Sequence, residues 1–321
     1  MKKIIVVLTL FVSFAASAVN QAFFDGVIIA NTNQAIGSAT NITNSITKSD
    51  QQAAKANFAN LVRDWKKVET TYLLGDLNED YLDTPRYVDI FHGNNEDIKS
   101  QLDLIIESDD DLTYALYKHS HKTINALEYV LFTKDITNPR VKAIALIISK
   151  SIASYLTEIL DGYHTHQAKF LKSEQFASAV LLNTLVAGTY KLKEWRIGDV
   201  VGLSKKYKGK ADNRRAEYVL SGNSINAIKA ILQTHQQVIN SKNYKDFGDI
   251  AREYKANAEI DTAISHLNKS ISNAKDMVDS DLDSAKGVAL FNATSQLMTS
   301  YYIALMDRLG FVSKVLDADG D

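Results

Sequence analysis

The chain of 321 residues contains no cysteine, only two prolines and only 14 glycines. Without cysteine the protein can form neither a disulfide nor a thiolate metal site, and a lipid anchor on an N-terminal cysteine is excluded. Proline and glycine punctuate the turns of strand-rich proteins, so their scarcity favours helices. The fold must therefore be stabilised by its packing rather than by covalent cross-links.

An excess of charge of either sign is also missing, because 36 Lys and Arg residues stand against 38 Asp and Glu residues. The balance gives no indication of nucleic acid or an anionic membrane surface as a partner. The sequence also lacks the H-E-x-x-H, G-x-S-x-G, P-loop and G-x-G-x-x-G motifs. The enzyme classes that these motifs mark are therefore not indicated.

The N-terminal stretch MKKIIVVLTLFVSFAASA is typical of a secretory signal peptide. Two lysines form its positive region, residues 4–15 its apolar run, and Ala16-Ser17-Ala18 its cleavage signal. We therefore predict that residues 1–18 are removed and that the mature protein is exported, with the periplasm as its location. No later apolar run is long enough to span a bilayer, so no integral membrane segment is predicted.

Apolar residues recur at three- and four-residue steps along most of the mature chain, which is typical of amphipathic helices. Asp50 is placed to cap one helix that ends at Gly75, and Asn138-Pro139 opens another. The pattern predicts helices over residues 50–75, 98–106, 112–132, 138–159, 173–195, 216–240, 246–277 and 284–309, with a weaker signal over 20–47. The predicted fold class is all-α.

An internal repeat connects the two halves of the chain. The segment ALYKHSHKTINALEYVLF (115–132) aligns with AEYVLSGNSINAIKAILQ (216–233) at an offset of 101, with seven identical residues. Two amphipathic helices can resemble each other by chance, but the polar matches Ser120/Ser221 and Asn125/Asn226 are poorly explained in that way. We predict two related helical bundles, covering residues 19–172 and 173–321.

The first repeated segment carries a candidate metal site. On a helix, His121, Asn125 and Glu128 would stand at i, i+4 and i+7 and project from one face. An imidazole nitrogen, an amide oxygen and a carboxylate could together bind a divalent or ferric cation. The alternative interpretation is a solvated polar face of the helix.

Two long connections with little helical signal, residues 75–97 and 197–215, are further candidates, since long loops are often functional. The segment YLDTPRYVDIFH (81–92) concentrates polar side chains around a proline: Asp83, Arg86, Tyr87, Asp89 and His92. It can equally be a capped loop whose arginine binds helix-end carbonyls. Polar residues also cluster at the start of the second repeat, where an Arg–Glu pair could be purely architectural: Arg214, Arg215, Glu217, Ser221 and Ser224.

Together, the leader, the segment Trp65-Lys-Lys-Val68-Glu69, the YLDTPRYVDIFH loop and TINALEYVLF resemble the imelysin-like family over essentially the whole mature chain. The hallmark of that family is a G-x-H-x-x-E motif that runs into a helix. Here Glu128 matches, whereas Thr123 replaces the glycine and Asn125 replaces the histidine. The resemblance implies two tandem, pseudo-symmetric four-helix bundles, a site at their interface and a role in bacterial iron uptake.

On this resemblance we expect a binding protein for iron or another divalent metal, or for a metal chelate, that works with an uptake system at the cell envelope. The expected metal ligands are Glu128, His121 and His92. The expected ligand-binding residues are Asp83, Arg86, Tyr87, Asp89, Asn125, Arg215, Glu217, Ser221 and Ser224. Since an amide oxygen is a poorer donor for iron than imidazole, Asn125 predicts weaker metal binding.

Two alternatives remain at this point. The family was once classed as metallopeptidases, which makes a metal-dependent peptidase the second hypothesis. The absence of a second histidine four residues along the helix favours a binding protein over that enzyme. A surface interaction module without a small ligand is the third hypothesis.

Overall fold

The computed structural model of the protein describes residues 21–92 and 96–314. All regular secondary structure in these ranges is helical. The prediction of an all-α fold is therefore confirmed. The predicted signal peptide, residues 1–18, lies outside the described residues, and it stays a prediction.

The α-helices are numbered in chain order. They are α1 Ala30–Thr47, α2 Gln51–Thr70, α3 Leu74–Leu77, α4 Thr84–Val88, α5 Ile98–Glu107, α6 Leu112–Ala115, α7 Ile124–Thr133, α8 Pro139–Leu171, α9 Glu174–Lys191, α10 Asp199–Val201, α11 Ser224–Ile239, α12 Phe247–Glu253, α13 Asn257–Lys275, α14 Ala285–Thr299 and α15 Met306–Leu309. Three π-helical segments are continuous with neighbouring helices: Phe24–Ile29, Leu192–Gly198 and Ser300–Leu305. Short 3₁₀ turns occur at Glu79–Tyr81, Ser120–Lys122, Asn213–Arg215 and Asp279–Asp281.

Two helices begin where the sequence predicts, because a side chain satisfies their free N–H groups. The Asp50 carboxylate accepts from the Ala53 amide at 2.9 Å at the start of α2. The Asn138 side chain accepts from two amides of the first turn of α8, with Pro139 at the first helical position. Such caps stabilise a helix by about 1 kcal/mol.

Three predicted helices are interrupted, or begin later than predicted. The helix over 112–132 is broken, because α6 ends at Ala115 and the Thr123 hydroxyl, which accepts from the Ala126 amide at 3.3 Å, starts a new helix at Ile124. The helix over 216–240 begins only at α11, since Tyr218 has a φ of 58°. Lys255, with a φ of 63°, separates α12 from α13. Left-handed backbone of this kind cannot continue a right-handed helix. The region over 20–47, where the helical signal in the sequence is weak, is by contrast helical throughout its described part.

The long helices pack in two sets, which meet where α11 packs against α2 and where α9 packs against α8 and α2. Helices α1, α2, α7 and α8 contact one another, and so do α9, α11, α13 and α14 with the π-helical segments. Helix α11 also packs against α2. The buried apolar side chains form one continuous cluster that includes residues of both sets, with Trp65 among the largest of them. The predicted boundary at residue 172 falls at the break between α8 and α9, while the division into two pseudo-symmetric bundles and the internal repeat stay predictions.

By its length and composition, helix α8 could cross a membrane. In the apolar stretch of 18 residues that meets these criteria, 39% is buried. Its apolar face, which includes Ile144, Ile148 and Ile152, belongs to the core. A core helix of a soluble protein satisfies the same two criteria, so this is weak evidence for a span. The absence of an integral membrane segment therefore stays a prediction.

Candidate functional site

Five charged side chains meet where α11 approaches α2. Lys66 and Glu69 come from α2, Asp89 follows α4, Arg196 comes from the π-helical segment after α9, and Glu217 precedes α11. The Lys66 side chain is fully buried, and only the Glu69 side chain, 23% exposed, reaches solvent appreciably. We call this set the ion cluster.

The geometry of the ion cluster pairs each carboxylate with a cation. The Lys66 Nζ lies 2.7 Å from Glu69 Oε2, 2.7 Å from Asp89 Oδ2 and 2.8 Å from Glu217 Oε1. The Arg196 Nε donates to Glu217 Oε2 at 2.7 Å, and its Nη2 donates to both oxygens of Glu69 at 2.9 Å. Buried charges of this kind are tolerated only when they are paired and hydrogen-bonded.

These contacts shift the pKa values of the cluster. Burial opposes ionisation of Glu69, but the charges of Arg196 and Lys66 outweigh it and lower the pKa to about 2. Burial likewise opposes ionisation of Asp89, and Lys66 lowers its pKa well below the usual range. The pKa of Lys66 is raised in spite of its burial, because three carboxylates surround it. For Glu217, burial raises the pKa against the opposing effect of Arg196 and Lys66. The cations and the carboxylates Glu69 and Asp89 therefore stay charged at neutral pH.

Asp89 is fixed more firmly than a single ion pair would require. Its Oδ2 also accepts from Trp65 Nε1 at 2.9 Å and from the Tyr218 hydroxyl at 2.5 Å. Its Oδ1 accepts from the Phe91 amide at 3.0 Å. The left-handed backbone of Tyr218 is part of this arrangement, and such strained positions persist only where the surroundings hold them. The loop after α4 is thereby attached to both halves of the chain.

A cavity of about 410 Å³ lies beside the ion cluster, and we call it the junction cavity. Both halves of the chain line it. The first half contributes Asn125 and Glu128 from α7, and the second contributes Arg215, Glu217 and Tyr218. Four of the sequence-predicted site residues, Asn125, Glu128, Arg215 and Glu217, are thus brought together here.

The two motif residues of α7 are both held by partners outside α7. The Asn125 Oδ1 accepts from the Ile90 amide at 3.0 Å, in the loop after α4. The Glu128 Oε1 accepts from the Ser221 amide at 2.9 Å, in the second half of the chain. Burial raises the pKa of Glu128, although the hydrogen bonds with Ser221 oppose that shift. Glu128 is therefore easier to protonate than a solvent-exposed glutamate.

A second cavity of about 360 Å³ is lined by Glu69 and Arg196 of the same ion cluster. Asp83 and Arg86, two further predicted site residues, line it as well. Their side chains pair with each other at 3.3 Å and are 65% and 68% exposed. They therefore belong to a different pocket from Asn125 and Glu128.

The predicted metal ligands are not assembled. His121 lies in the 3₁₀ turn before α7, with its Nε2 2.8 Å from Gln101 Oε1, so the prediction that it shares one helical face with Asn125 and Glu128 was wrong. Thr123 causes this, because it caps α7 and ends the helical periodicity on which the spacing argument relied. His92 lies instead 2.6 Å from Asp199 and stacks on Trp195. Within residues 21–92 and 96–314, no three His, Asp or Glu side chains form a group that could hold a metal ion.

The other predicted site residues have mainly architectural contacts. Arg215 donates to the Asp199 carbonyl at 3.1 Å and stacks over the Tyr207 ring at 4.1 Å. The Ser224 hydroxyl donates to the Glu217 carbonyl. Tyr87 stacks on His119 with ring centroids 4.3 Å apart, away from both cavities.

Lys66 and Arg196 were not among the predicted site residues. Lys66 follows Trp65 and stands four residues after Val62, so it lies inside the apolar stripe of α2. A charged residue at such a position is a signal for a buried ion pair. Arg196 gives no comparable signal, since its direction depends on the π-helical segment, which no periodicity in the sequence marks.

The family model of imelysin, peptidase family M75, matches residues 27–301 of the chain. The chain belongs to the imelysin family. The fold is similar to that of an imelysin-like protein from Psychrobacter arcticum 273-4, with a TM-score of 0.73, 16% identity, and coverage of 94% of this chain and 98% of that one. A protein assigned as an iron-regulated protein A precursor from Parabacteroides distasonis ATCC 8503 has a TM-score of 0.65 at 12% identity, with coverage of 92% and 95%. Among curated proteins, no match to this imelysin was found.

Proposed function

We propose that this imelysin is an exported binding protein that takes part in the uptake of iron, or of another metal or metal chelate, and that its ligand occupies the junction cavity. The observation that carries the proposal is that Glu128, the residue matching the family motif, lies in a cavity lined by both halves of the chain. The iron-regulated relative from Parabacteroides distasonis supports the link to iron.

The cavity has the properties of a small-molecule site. Its volume of about 410 Å³ is within the range of roughly 300–1,000 Å³ that such sites occupy. The ion cluster forms part of its wall through Glu217, and its fixed charges need no rearrangement when a ligand binds. Glu128, which accepts a hydrogen bond from the Ser221 amide and, among the described residues, from no cation, is the carboxylate of the cavity that is available to a bound cation.

The test is isothermal titration of the protein with ferrous, ferric citrate and zinc solutions, using the isosteric variant Glu128→Gln. Gln can still accept from the Ser221 amide, so folding should be retained. We expect one bound equivalent for the wild type, and an affinity for ferrous and zinc ions that is weaker by roughly tenfold or more in the variant. Glu107→Gln, on the exposed face of α5 and outside the cavity, is the matched control and should bind like the wild type.

Two outcomes would overturn the proposal. Absence of binding to all three solutions would favour an interaction module without a small ligand. Chelator-sensitive hydrolysis of peptides that disappears in Glu128→Gln would favour the peptidase instead.

A further inference from the structure

Asn125 presents a hydrogen-bond donor, not a metal-binding oxygen, to the junction cavity. Its Oδ1 accepts from the Ile90 backbone amide at 3.0 Å. A backbone N–H can only donate, so this bond fixes which end of the side-chain amide faces Ile90. Within the described part of the chain, the Nδ2 of Asn125 has no acceptor. A ligand in the cavity therefore meets two N–H groups at this position.

The carboxylates in the cavity wall are largely committed already. Glu217 accepts from both cations of the ion cluster, Glu96 accepts from Lys118 at 2.5 Å, and Asp97 caps α5. Among the carboxylates that line this cavity in the described structure, Glu128 is the one without a hydrogen bond from a cation or a role as a helix cap. Bare zinc takes about four ligands and calcium six to eight, far more than one free carboxylate supplies.

Cations line the same cavity where it meets solvent. Lys99 is exposed, and its Nζ donates no hydrogen bond to the described residues. The Arg214 side chain is 89% exposed and is held by Asp212 at 2.9 Å. Arg215 adds a third positive charge from its stacked position on Tyr207. The groups that remain available to a ligand are thus the side-chain amide of Asn125 and the exposed cations, beside Glu128 and the exposed Asp97, whose carboxylate caps α5.

We infer that the junction cavity takes a metal as an anionic chelate whose surface oxygens are carboxylates, and not as a bare cation. The oxygens of the chelate accept from the amide of Asn125 and from Lys99 and Arg214, while the chelator itself holds the metal. Bonds between such oxygens and charged donors are about twice as strong as neutral ones. This inference deepens the proposed function and rests on it.

The decisive variant is Asn125→Asp. Aspartate keeps the oxygen that accepts from the Ile90 amide, but it replaces the two N–H donors with a negatively charged acceptor. We expect affinity for ferric citrate, measured by isothermal titration, to fall roughly tenfold to a hundredfold. Affinity for zinc chloride should rise, because a second carboxylate joins Glu128. The two probes should therefore respond in opposite directions.

A second variant tests the cations without touching the buried part of the cavity. Lys99→Gln combined with Arg214→Gln removes two exposed charges, which cannot unfold the core. Ferric citrate should bind roughly tenfold more weakly, and raising the salt concentration should weaken the wild type toward the variant. Lys242→Gln combined with Lys275→Gln, also exposed and outside both cavities, is the control and should leave the affinity unchanged.

The outcomes separate the inference from the proposed function. If zinc or ferrous ion binds in a Glu128-dependent manner while ferric citrate binding is the same in wild type, Asn125→Asp and the Lys99/Arg214 variant, the inference is overturned and the proposed function stands. If the wild type binds none of these probes, both fail together. Opposite responses to Asn125→Asp, with a loss in the Lys99/Arg214 variant, support the inference.

Discussion

Replacing Lys66 with methionine should be among the most destabilising single changes on α2. Methionine fills a similar volume, so the loss is that of the charge. The ion cluster would pass from two cations facing three carboxylates to Arg196 alone facing the same three. Removing one partner of a buried ion pair costs about 3–5 kcal/mol, because the remaining charge stays buried without compensation. For a chain of this size, with an unfolding entropy of roughly 0.65 kcal/mol/K, that corresponds to a fall in Tm of roughly 5–8 °C.

The assay is urea unfolding at neutral pH, with Lys67→Met as the matched control. Lys67 is the next residue of the same helix and pairs with Asp64 at 3.1 Å, but its side chain is 15% exposed and Asp64 keeps Arg63. Its loss should lower the free energy of unfolding by about 1 kcal/mol or less. The difference between the two lysine variants therefore measures the extra cost of removing a cation that three carboxylates share.

The pH dependence checks that the effect is electrostatic. In the wild type, Glu69 has a folded pKa lowered to about 2, so its stabilising contribution is complete above the unfolded value of 4.5 and disappears as the pH falls toward 2. Without Lys66 the cluster carboxylates protonate more readily, so the gap between wild type and Lys66→Met should narrow as the solution is acidified. Equal destabilisation by the two lysine variants, with a gap that does not change with pH, would refute the reasoning.

Three further predictions follow from single positions. Burial lowers the pKa of His235 to about 3, so the free energy of unfolding should decline as the pH falls from the unfolded value of 6.5 toward 3. The variant His235→Gln should show a weaker dependence of this free energy on pH. Urea unfolding between neutral and mildly acidic pH, where Glu69 does not yet titrate, measures the difference. A Cβ on Gly287 would collide with a backbone carbonyl oxygen, whereas a Cβ on Gly37 would have open space around it. In chemical denaturation, Gly287→Ala should therefore lower the free energy of unfolding by about 1–3 kcal/mol, and Gly37→Ala should raise it by about 0.5–1 kcal/mol. Asn125→His, the residue of the family motif, should strengthen zinc binding and weaken ferric citrate binding; no change in either titration would leave Asn125 as a purely structural position.

The helical character of the chain could be predicted from the sequence because it depends on local signals. The caps Asp50 and Asn138 placed the starts of α2 and α8 correctly, whereas periodicity predicted the end of α2 five residues too late and that of α8 twelve residues too early. Where the backbone adopts a left-handed conformation, as at Tyr218 and Lys255, periodicity continued past the true ends of helices. Non-glycine residues are held in that conformation by tertiary contacts, such as the bond from Tyr218 to Asp89, which a one-dimensional pattern does not contain.

The candidate site was predicted in part. Asn125 and Glu128 were identified by a motif, and Glu217 by its position at the start of the second repeat, and these three do line one cavity. The role of Asn125 was not predictable, because its side-chain oxygen accepts from the Ile90 amide, a tertiary contact that the sequence pattern does not contain. The histidines were misjudged since their helical spacing was assumed, whereas His121 lies in a turn.

The ion cluster also limits how a ligand can reach the interior. Lys66 and Arg196 connect α2 to the second half of the chain through Glu217 and Glu69, in a place shielded from water. A hinge motion that separates the two halves of the chain would leave several buried charges without partners at once, each at a cost of several kcal/mol. We therefore expect a ligand to enter and leave the junction cavity when side chains at its mouth rearrange, while the helices keep their positions.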